Sequence, residues 1–241
     1  MPASASYGDT WAAIYDDVHS HLDPTVAVEV LAELAGTGPA LELGTGTGRI
    51  AIPLAARGVN VHGIESSQAM LDRMRAKPGG ADLPVTLGDF TDVAVDGEYA
   101  LVFVVSSTLY GLLTQAAQVA CVRNVAARLT SGGVFVFEGF VPDPARFNAN
   151  QRVQVHRVES TRIDLVVARH DPVQQRVTSQ HIVAGPDGVQ LFPVEVRYVW
   201  PSELDLMAEL AGLRLRERWG DWQRAEYTGS GAHVSIYERA R

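Results

Sequence analysis

The segment at residues 40–52 constrains this chain more than any other. It reads Leu41-Glu42-Leu43-Gly44-Thr45-Gly46-Thr47-Gly48-Arg49 and then resumes in a helix-like apolar pattern. The apolar residues before Gly44 indicate a buried strand, and the three alternating glycines indicate a tight turn before a helix. Glycine there allows close approach of a ligand to the main chain, and the open N–H groups of the helix face that ligand. The segment therefore predicts a ligand-binding strand, turn and helix.

The spacing of the glycines distinguishes between ligands. A dinucleotide fingerprint has glycine at the sixth position, where this chain has Arg49. The carboxylate of Glu42 would repel a pyrophosphate and attract a ligand that carries an ammonium group. The run resembles motif I, E-x-G-x-G-x-G, of the class I S-adenosylmethionine (SAM) methyltransferases.

Two further acids follow predicted strands in the order that this resemblance requires. Glu65 ends the second strand, 21 residues after Gly44, where an acid can accept hydrogen bonds from both ribose hydroxyls. The resemblance also covers Gln68-Ala69-Met70-Leu71 and Gly88-Asp89-Phe90, and it implies that Met70 touches adenine, that Asp89 binds its amino group and that Phe90 flanks the ring. Each residue alone is as well explained as a cap, a turn acid or a core residue, but their joint order favours SAM.

The predicted cofactor site combines the glycine turn with the ends of the next strands. Ser106 joins it at the lip of the fourth strand, where backbone carbonyls can hold the ammonium group of an amino acid. The predicted SAM-binding residues are Glu42, Gly44, Thr45, Gly46, Gly48, Glu65, Ser66, Met70, Asp89, Phe90 and Ser106.

Apolar strands alternate with helices along the first 140 residues, which predicts an α/β fold with a parallel sheet covered on both faces. The resemblance implies a Rossmann-like, mostly parallel seven-stranded sheet that closes with an antiparallel strand pair. A helix is predicted over His19 to Leu34, with Asp23 as cap and Pro24 in the first turn. Between Arg152 and Trp200 apolar and polar residues alternate, which predicts an antiparallel β insertion after the fifth strand. Ser202 is predicted to cap the helix that follows.

This pattern divides the chain into four parts. Residues 1–36 are predicted to form an N-terminal helical lid, and 37–150 the SAM-binding core. Residues 151–200 form the insertion, expected to serve the acceptor or an oligomer contact, and 201–241 complete the core. Tyr7, Trp11 and Tyr15 recur every four residues, so they could share one helical face, either as a lid or as a docking surface.

The composition of the chain argues against several classes of function. The net charge of −8 provides no basic footprint for nucleic acid or an anionic membrane, and no apolar run is long enough for a spanning helix. The N-terminus has no export signal, and the single Cys121 fits a reducing cytoplasm as a structural thiol. The one lysine, Lys77, precedes a helix-ending Pro-Gly-Gly and is predicted to be exposed. The seven histidines show no paired ligand spacing, so no metal is expected.

The remaining motifs point to a small-molecule acceptor. Tyr7-Gly8-Asp9, Thr108-Leu109-Tyr110, Arg197-Tyr198-x-Trp200-Pro201 and Arg218-Trp219-x-x-Trp222 resemble natural-product methyltransferases, including N-methyltransferases of aminosugars and of lincosamide-type antibiotics. One departure is Ser107, where the family commonly has Asn. The candidate catalytic or pocket residues are Tyr110, Tyr15, Tyr7 and His181, although a structural role is the commoner reading for His181.

The sequence therefore predicts a SAM-dependent methyltransferase of antibiotic biosynthesis, cytoplasmic, acting on an amine of a natural-product or sugar intermediate. In-line placement is the expected main catalytic effect. An O-methyltransferase and a non-catalytic SAM-binding module remain alternatives, and a nucleotide-dependent oxidoreductase is disfavoured by Arg49. A homodimer or higher homo-oligomer through the insertion is expected, because its strands would otherwise be bare.

Overall fold

The computed structural model of the protein describes residues 7–239. The helices are α1 (Tyr7–Trp11), α2 (Tyr15–Val18), α3 (Thr25–Ala35), α4 (Ala51–Ala56), α5 (Gln68–Arg75), α6 (Gln115–Arg128) and α7 (Pro201–Leu210), with 3₁₀ turns at Thr108–Gly111 and Pro144–Arg146. The strands are β1 (Ala40–Leu43), β2 (Val61–Glu65), β3 (Val85–Leu87), β4 (Tyr99–Val104), β5 (Leu129–Phe140), β6 (Gln151–Val158), β7 (Ile163–Asp171), β8 (Arg176–Gly185), β9 (Gly188–Arg197), β10 (Leu213–Trp219) and β11 (Ala232–Arg239).

The larger sheet has seven strands in the order β10-β11-β5-β4-β1-β2-β3. The five adjacent strands β3, β2, β1, β4 and β5 pair in parallel. In contrast, β11 runs antiparallel to β5, and β10 runs antiparallel to β11. The strand order reverses on either side of β1, because β1 pairs with β2 on one edge and with β4 on the other. A ligand crevice forms outside the carboxyl ends of the strands at such a switch point.

Alternate residues of the strands enter two apolar cores, one on each face of this sheet. Leu41 and Leu43 of β1 pack with α6 and α7, whereas Ala40 packs with α3, α4 and α5. All four residues of β1 are buried, as expected for a central parallel strand with helices on both faces. This double cover fixes the position of the loop that follows β1.

The second sheet is a separate antiparallel meander in the order β6-β7-β8-β9. Its strands are eight to ten residues long. Arg197, at the end of β9, is buried, and it donates hydrogen bonds to the side chains of Gln118 on α6 and Glu203 on α7 (2.8 Å to Glu203). This network attaches the second sheet to the core.

These elements confirm the predicted fold class, including the closing antiparallel pair and the antiparallel insertion. Three local predictions are wrong. The helix predicted from His19 begins only at Thr25, because Asp23 accepts the Thr25 N–H (2.9 Å) and thereby starts the helix after Pro24. Ser202 does not cap α7, because the helix begins at Pro201 and Trp200 takes the capping position without a side-chain hydrogen bond.

The third wrong prediction concerns the helical face that Tyr7, Trp11 and Tyr15 were expected to share. Instead of one helical face, the chain forms α1, a turn at residues 12–14, and α2. Tyr7 and Trp11 stack with ring centroids 5.5 Å apart, while Tyr15 stacks on His19 at 4.2 Å. The N-terminal segment is therefore bent. The division of the chain into four functional parts stays a prediction.

Within residues 7–239 no helix has the length and apolar character needed to cross a membrane.

Candidate active site

The glycine turn after β1 has one face open for a ligand. Gly44, Gly46 and Gly48 have φ values of +74°, +58° and +80°, a region that side chains other than glycine rarely adopt. A methyl group on Gly44 would lie 2.5 Å from Thr108 Cγ2, and one on Gly48 would lie 2.7 Å from Met74 Cγ. A methyl group on Gly46 would meet nothing within 4 Å. Gly44 and Gly48 thus permit close packing of the protein, and Gly46 faces open space.

Glu65 links the end of β2 to this turn. Its carboxylate accepts hydrogen bonds from the N–H of Gly46 (2.8 Å) and from the N–H of Ser67 (2.9 Å). Ser67 in turn caps α5 by accepting the N–H of Met70, and Ser66 beside it is exposed. The carboxylate therefore organises the turn from which the crevice is built.

Beneath the turn lie buried polar atoms that have no partner among the described residues. They are Glu42 Oε2, Thr45 Oγ1 and Arg49 Nε. Burial raises the pKa of Glu42 well above its ordinary value, although the positive charge of Arg49 opposes the shift. Unpaired buried groups of this kind are costly, and a polar ligand with both an ammonium and a carboxylate group would complement them.

Arg49 crosses the crevice to the loop after β4. Its Nη2 donates to Ser106 Oγ (2.6 Å), and the N–H of Ser106 donates to Glu138 Oε2 at the end of β5 (2.8 Å). Ser106 and Ser107 both have positive φ, +55° and +61°, which is uncommon for residues with a side chain. The ends of β1, β4 and β5 are thus joined by one polar chain.

Asp89 and Phe90 lie at the open side of the same crevice. Asp89 is exposed, and its Oδ1 accepts hydrogen bonds from the N–H and the hydroxyl of Thr91 (2.7 and 2.6 Å). Phe90 is half-buried and has an edge carbon 3.7 Å from the place of a methyl group on Gly44. The structure therefore brings Phe90 next to the glycine turn, and Asp89 precedes it in the chain.

Two carboxylates fasten the N-terminal segment, one to the start of α5 and one to the glycine turn. Asp9 accepts a hydrogen bond from the hydroxyl of Ser67 (2.6 Å). Asp16 accepts from the hydroxyl of Thr47 (2.6 Å) and from Lys77 Nζ (2.8 Å), and Lys77 also donates to the carbonyl oxygen of Thr47 (2.9 Å). The prediction that Lys77 is exposed is wrong, because these contacts hold it half-buried.

Trp11 attaches the N-terminal segment to the second sheet. Its indole is buried and donates to the carbonyl oxygen of Pro193 (3.3 Å). Its ring centroid lies 5.2 Å from that of Phe192 and 5.0 Å from that of His181. Met70 of α5 belongs to the same apolar cluster. The side chain of Trp11 therefore joins α5 to the antiparallel sheet.

A cavity of about 400 Å³ adjoins this cluster. Residues 140–147 form one wall, and alternate residues of β6–β9 form the other. The side chains on that sheet wall include Arg152, Gln154, Ser179, His181, Val194 and Tyr198. His181 and Val194 also contact the Trp11 cluster, so the cavity and the N-terminal segment share a boundary.

The four candidate catalytic residues occupy different environments. Tyr7 and Tyr15 lie in the N-terminal segment, and desolvation raises the pKa of both hydroxyls. The positive charge of Arg49 opposes this rise in the pKa of Tyr15, so the Tyr15 hydroxyl lies near the arginine that follows the glycine turn. His181 lines the cavity, and burial lowers its pKa, with smaller contributions from His156 and His19.

Tyr110 is different, because it is fully buried. Its hydroxyl donates to the carbonyl oxygens of Phe140 (2.8 Å) and Val199 (3.2 Å). These bonds join the end of β5 to the segment after β9, and burial raises the pKa of the hydroxyl. The observed contacts of Tyr110 are structural, and its predicted role at the acceptor is untested by them.

Sequence reasoning missed Asp16 and Lys77 as parts of the site. They are 61 residues apart in sequence, and no local spacing connects them. The one signal available was that Lys77 is the only lysine in a chain that otherwise uses arginine.

Comparison with known proteins matches residues 40–133 to a family of methyltransferase domains. Over 98% of its length, the chain is 40% identical to the CcbJ methyltransferase of Streptomyces caelestis, whose structure it matches with a TM-score of 0.92 over 98% of that chain. The chain belongs to the SAM-dependent methyltransferases. It is also 27% identical to the cypemycin N-terminal methyltransferase of a Streptomyces species, over 98% of both proteins.

A more distant match shows the fold alone. The SAM-bound amino pentose methyltransferase CalS10 of Micromonospora echinaspora is 22% identical, with a TM-score of 0.69 over 92% of this chain and 96% of that one. The predicted family, fold class, enzyme class and SAM cofactor are confirmed by these comparisons. The open face at Gly46 and the unpaired Glu42 and Thr45 beneath it fit that cofactor. Among residues 7–239 no three His, Cys, Asp or Glu side chains gather as a metal site would require.

Proposed function

We propose that this methyltransferase transfers a methyl group to an amine of a small natural-product or sugar intermediate, bound in the cavity beside the antiparallel sheet. The observation that carries the proposal is the N-terminal segment. It is anchored to the glycine turn through Asp16 and to the cavity wall through Trp11. Cofactor and acceptor would thus meet under one structural element.

The proposed cofactor residues are those named from the sequence. Glu65 and Asp89 hold the sugar and the base, Met70 and Phe90 flank the base, and Glu42 and Ser106 lie at the amino-acid end. Gly44, Thr45, Gly46, Gly48 and Ser66 complete the crevice. When bound, SAM supplies a methyl group on a positively charged sulfur, an electrophile that needs alignment with the acceptor more than any further activation.

The titrating groups near the cavity favour an amine over a hydroxyl acceptor. Tyr7 and Tyr15 have raised pKa values, so at neutral pH they are neutral hydroxyls that can orient an acceptor by hydrogen bonds. Burial lowers the pKa of His181, so its imidazole is uncharged at neutral pH and can accept a hydrogen bond from the N–H of a free amine. An aliphatic alcohol is a far weaker acid and would need a stronger base than these residues supply.

The names of two relatives also support an amine as the methyl acceptor. The cypemycin enzyme is named for N-terminal methylation, and CalS10 is described as an amino pentose methyltransferase. Both descriptions refer to acceptors that bear an amino group. The proposal that this chain also serves antibiotic biosynthesis rests on these relatives.

Mass spectrometry with trideuteriomethyl-SAM and a panel of aminosugars, amino-acid amides and hydroxyl analogues tests the proposal. We expect label on amines only. Label on hydroxyl compounds alone would make the protein an O-methyltransferase, and tight S-adenosylhomocysteine binding without any transfer would make it a non-catalytic SAM-binding module.

A substitution of Tyr15 tests the role of the segment. Tyr15→Phe should lower kcat at least about tenfold through lost orientation of the acceptor, while the Kd for S-adenosylhomocysteine stays the same. Tyr99→Phe is the matched control, because Tyr99 begins β4, at the end of the sheet opposite the crevice. Equal effects of both variants would remove Tyr15 from the proposed site.

Two accompanying proposals concern the setting of the enzyme. A cytoplasmic location is favoured by the buried free thiol of Cys121. We also propose a homo-oligomer through the antiparallel sheet, because its edge strands would otherwise be bare.

A further inference from the structure

The cavity beside the antiparallel sheet has two ends of different character. On its inner face, which lines the cavity, the sheet carries two adjoining rows of side chains, and the residues between them form the outer face. The rows are Arg152, Ala168, Ser179, Val194; and Gln154, Val166, His181, Phe192. Each row begins on edge strand β6 and ends on edge strand β9, where Phe192 contacts Trp11. Because strands lie about 4.8 Å apart, the two edges are separated by roughly 14 Å.

A second arginine reaches the β6 end of the cavity from the opposite wall. Arg146, in the 3₁₀ turn after β5, lines the cavity. Its Nη2 lies 3.5 Å from Oε1 of Gln154, which follows Arg152 on the inner face of β6. Desolvation lowers the pKa of Arg152, and the positive charge of Arg146 lowers it further, whereas Asp143 opposes the shift. Two guanidinium groups thus share one end of the cavity.

These two arginines have no counter-ion in the described chain. Neither Arg146 nor Arg152 forms an ion pair with a carboxylate of residues 7–239. Asp143 lines the same cavity, but its carboxylate accepts a main-chain N–H of its own turn (3.1 Å). Elsewhere in the second sheet carboxylates do pair with arginines, as Asp164 does with Arg162 (2.7 Å). This end of the cavity therefore presents positive charge to a ligand.

Between its two ends the cavity wall is apolar. Val166 and Ala168 of β7 line it from the sheet, and Phe147 lines it from the other wall. The hydroxyl of Ser179 is already donated to the carbonyl oxygen of Val194 (3.2 Å). A ligand that spans the cavity would therefore meet apolar surface in its middle and positive charge where it reaches β6.

We propose that Arg146 and Arg152 bind a carboxylate that the methyl acceptor carries at the end remote from its amine. The inference rests on the proposed function, because it places the amine beside His181. With histidine counted as neutral, the two arginines and Asp143 leave one net positive charge around the cavity, which a single carboxylate neutralises. The planar guanidinium group also matches a carboxylate through two parallel hydrogen bonds.

The register also limits the length of the acceptor. His181 lies two strands away from Arg152, so the amine and the carboxylate would be on the order of 10 Å apart. An extended tripeptide spans about 10 Å, whereas an α-amino acid has a single carbon between its two groups. The geometry thus favours an acceptor of short-peptide length with a free amine at one end and a free carboxylate at the other.

Calorimetry on the enzyme saturated with S-adenosylhomocysteine tests the inference without requiring methyl transfer. The probes are the tripeptide Ala-Val-Ala, its C-terminal amide and its analogue with a C-terminal phosphonate. The carboxylate should bind at least about tenfold more tightly than the amide, because the amide loses the charge-assisted hydrogen bonds to the arginines. Alanine should bind no more tightly than alaninamide, because it is too short to reach both ends of the cavity.

Two variants assign this preference to the arginines. Arg146→Met and Arg152→Met should each lower the carboxylate-to-amide preference at least about threefold. Arg169→Met is the matched control and should keep the wild-type preference, because Arg169 is exposed on the outer face of β7, between two residues that line the cavity. The preference is a ratio within one variant, so a partial loss of folding, which weakens both probes alike, does not imitate the expected result.

Equal binding of the carboxylate and the amide, including no detectable binding of either, would overturn the inference. A preference that survives in both variants, that falls equally in Arg169→Met or that alanine shows equally would do the same. Tighter binding of the phosphonate than of the carboxylate would assign the arginines to a phosphate-bearing acceptor and overturn the carboxylate.

The outcome for the proposed function is read separately. A carboxylate preference without methyl transfer to any amine of the panel would support the carboxylate site and refute the proposed function. Methyl transfer to amines without the preference would refute the carboxylate site alone.

Discussion

We propose that the crevice of the seven-stranded sheet and the antiparallel sheet beside it contribute differently to one site. In the crevice, function depends on backbone shape at strand ends, as in the positive φ of Gly44, Gly46 and Gly48. In the antiparallel sheet, function depends on which of two alternating faces a side chain occupies. Ser179 lines the cavity, whereas Thr178, one residue earlier, is exposed on the opposite face.

The difference shows why the two regions differ in how well sequence identifies them. A bound nucleoside requires specific residue types at fixed distances along the chain, so the SAM crevice keeps a recognisable motif. The sheet face that lines a cavity for the methyl acceptor requires only suitable side chains at alternate positions, and many different sequences provide them. The same logic predicts that substitutions in the crevice affect cofactor binding and that substitutions in the sheet affect the acceptor alone.

The largest expected effect in the crevice is that of Glu65→Gln. The carboxylate accepts two backbone N–H bonds and is the proposed ribose ligand, and charge-assisted bonds of this kind contribute about 1.5–3 kcal/mol each. The Kd for S-adenosylhomocysteine, measured by calorimetry, should rise on the order of 100-fold. Glu209→Gln, at an exposed acid of α7, should leave it unchanged, and an unaltered Kd in the Glu65 variant would refute its role.

A methyl group on Gly46 should act on binding more than on folding. Gly46→Ala places Cβ in open space, so the main cost to the fold is the left-handed backbone, about 1–2 kcal/mol. The bound cofactor would meet the methyl group, and its Kd should rise about tenfold or more.

Gly212→Ala is the matched control, since Gly212 also has positive φ, +75°, and open space around it. Calorimetry and thermal unfolding should show similar losses of Tm in the two variants and a loss of cofactor binding only at Gly46. Equal Kd values would mean that Gly46 does not face the cofactor.

Loss of the Lys77 ammonium group should loosen the N-terminal segment without unfolding the core. Lys77→Met removes two hydrogen bonds at a half-buried pair, where ion pairs contribute at most about 1 kcal/mol. We expect kcat/KM to fall about fivefold and backbone amides of residues 7–18 to exchange hydrogen faster.

Arg75→Met, at the exposed last residue of α5, two residues before Lys77, provides the control and should change neither quantity. Unchanged exchange at residues 7–18 in the Lys77 variant would show that the anchor is dispensable.

The smallest expected effect is a pH dependence of stability caused by Glu42. Burial raises the pKa of this carboxyl in the folded state, so the folded chain holds the proton more tightly than the unfolded chain. The contribution to stability is therefore complete below the unfolded pKa of about 4.3 and decreases as pH rises through the folded pKa.

Glu42→Gln should consequently raise the Tm at pH 8, by about 2–4 °C for each kcal/mol relieved, and the gain should disappear near pH 4. Differential scanning fluorimetry across this range measures it. The Glu209→Gln chain should show no such trend, and a gain that grows as pH falls would reverse the assignment.

Individual residues show how far sequence could predict this molecule. The glycine turn and Glu65 were identifiable because their functions depend on local spacing and on strand ends. The contact of Trp11 with Pro193 spans 182 residues, and the bond of Lys77 to Asp16 spans 61. The Trp11 contact depends on how the second sheet docks, through the buried Arg197 and its partners on α6 and α7. No local sequence pattern encodes either contact.

The bend between α1 and α2 illustrates the same limit. The aromatic spacing suits one helical face, but Trp11 has to reach the second sheet while Asp16 reaches the glycine turn. Because these two contacts lie on different parts of the protein, the segment bends instead of forming the single helix that its aromatic spacing suggests.

The account depends most on the claim that the cavity beside the antiparallel sheet holds the methyl acceptor. The direct test compares Ser179→Trp, which fills the cavity from the inner face, with Thr178→Trp, its neighbour on the outer face, by trideuteriomethyl transfer to the amine found in the panel. We predict that Ser179→Trp lowers kcat/KM on the order of 100-fold with an unchanged Kd for S-adenosylhomocysteine, and that Thr178→Trp has nearly wild-type transfer. Wild-type transfer by Ser179→Trp would contradict the account.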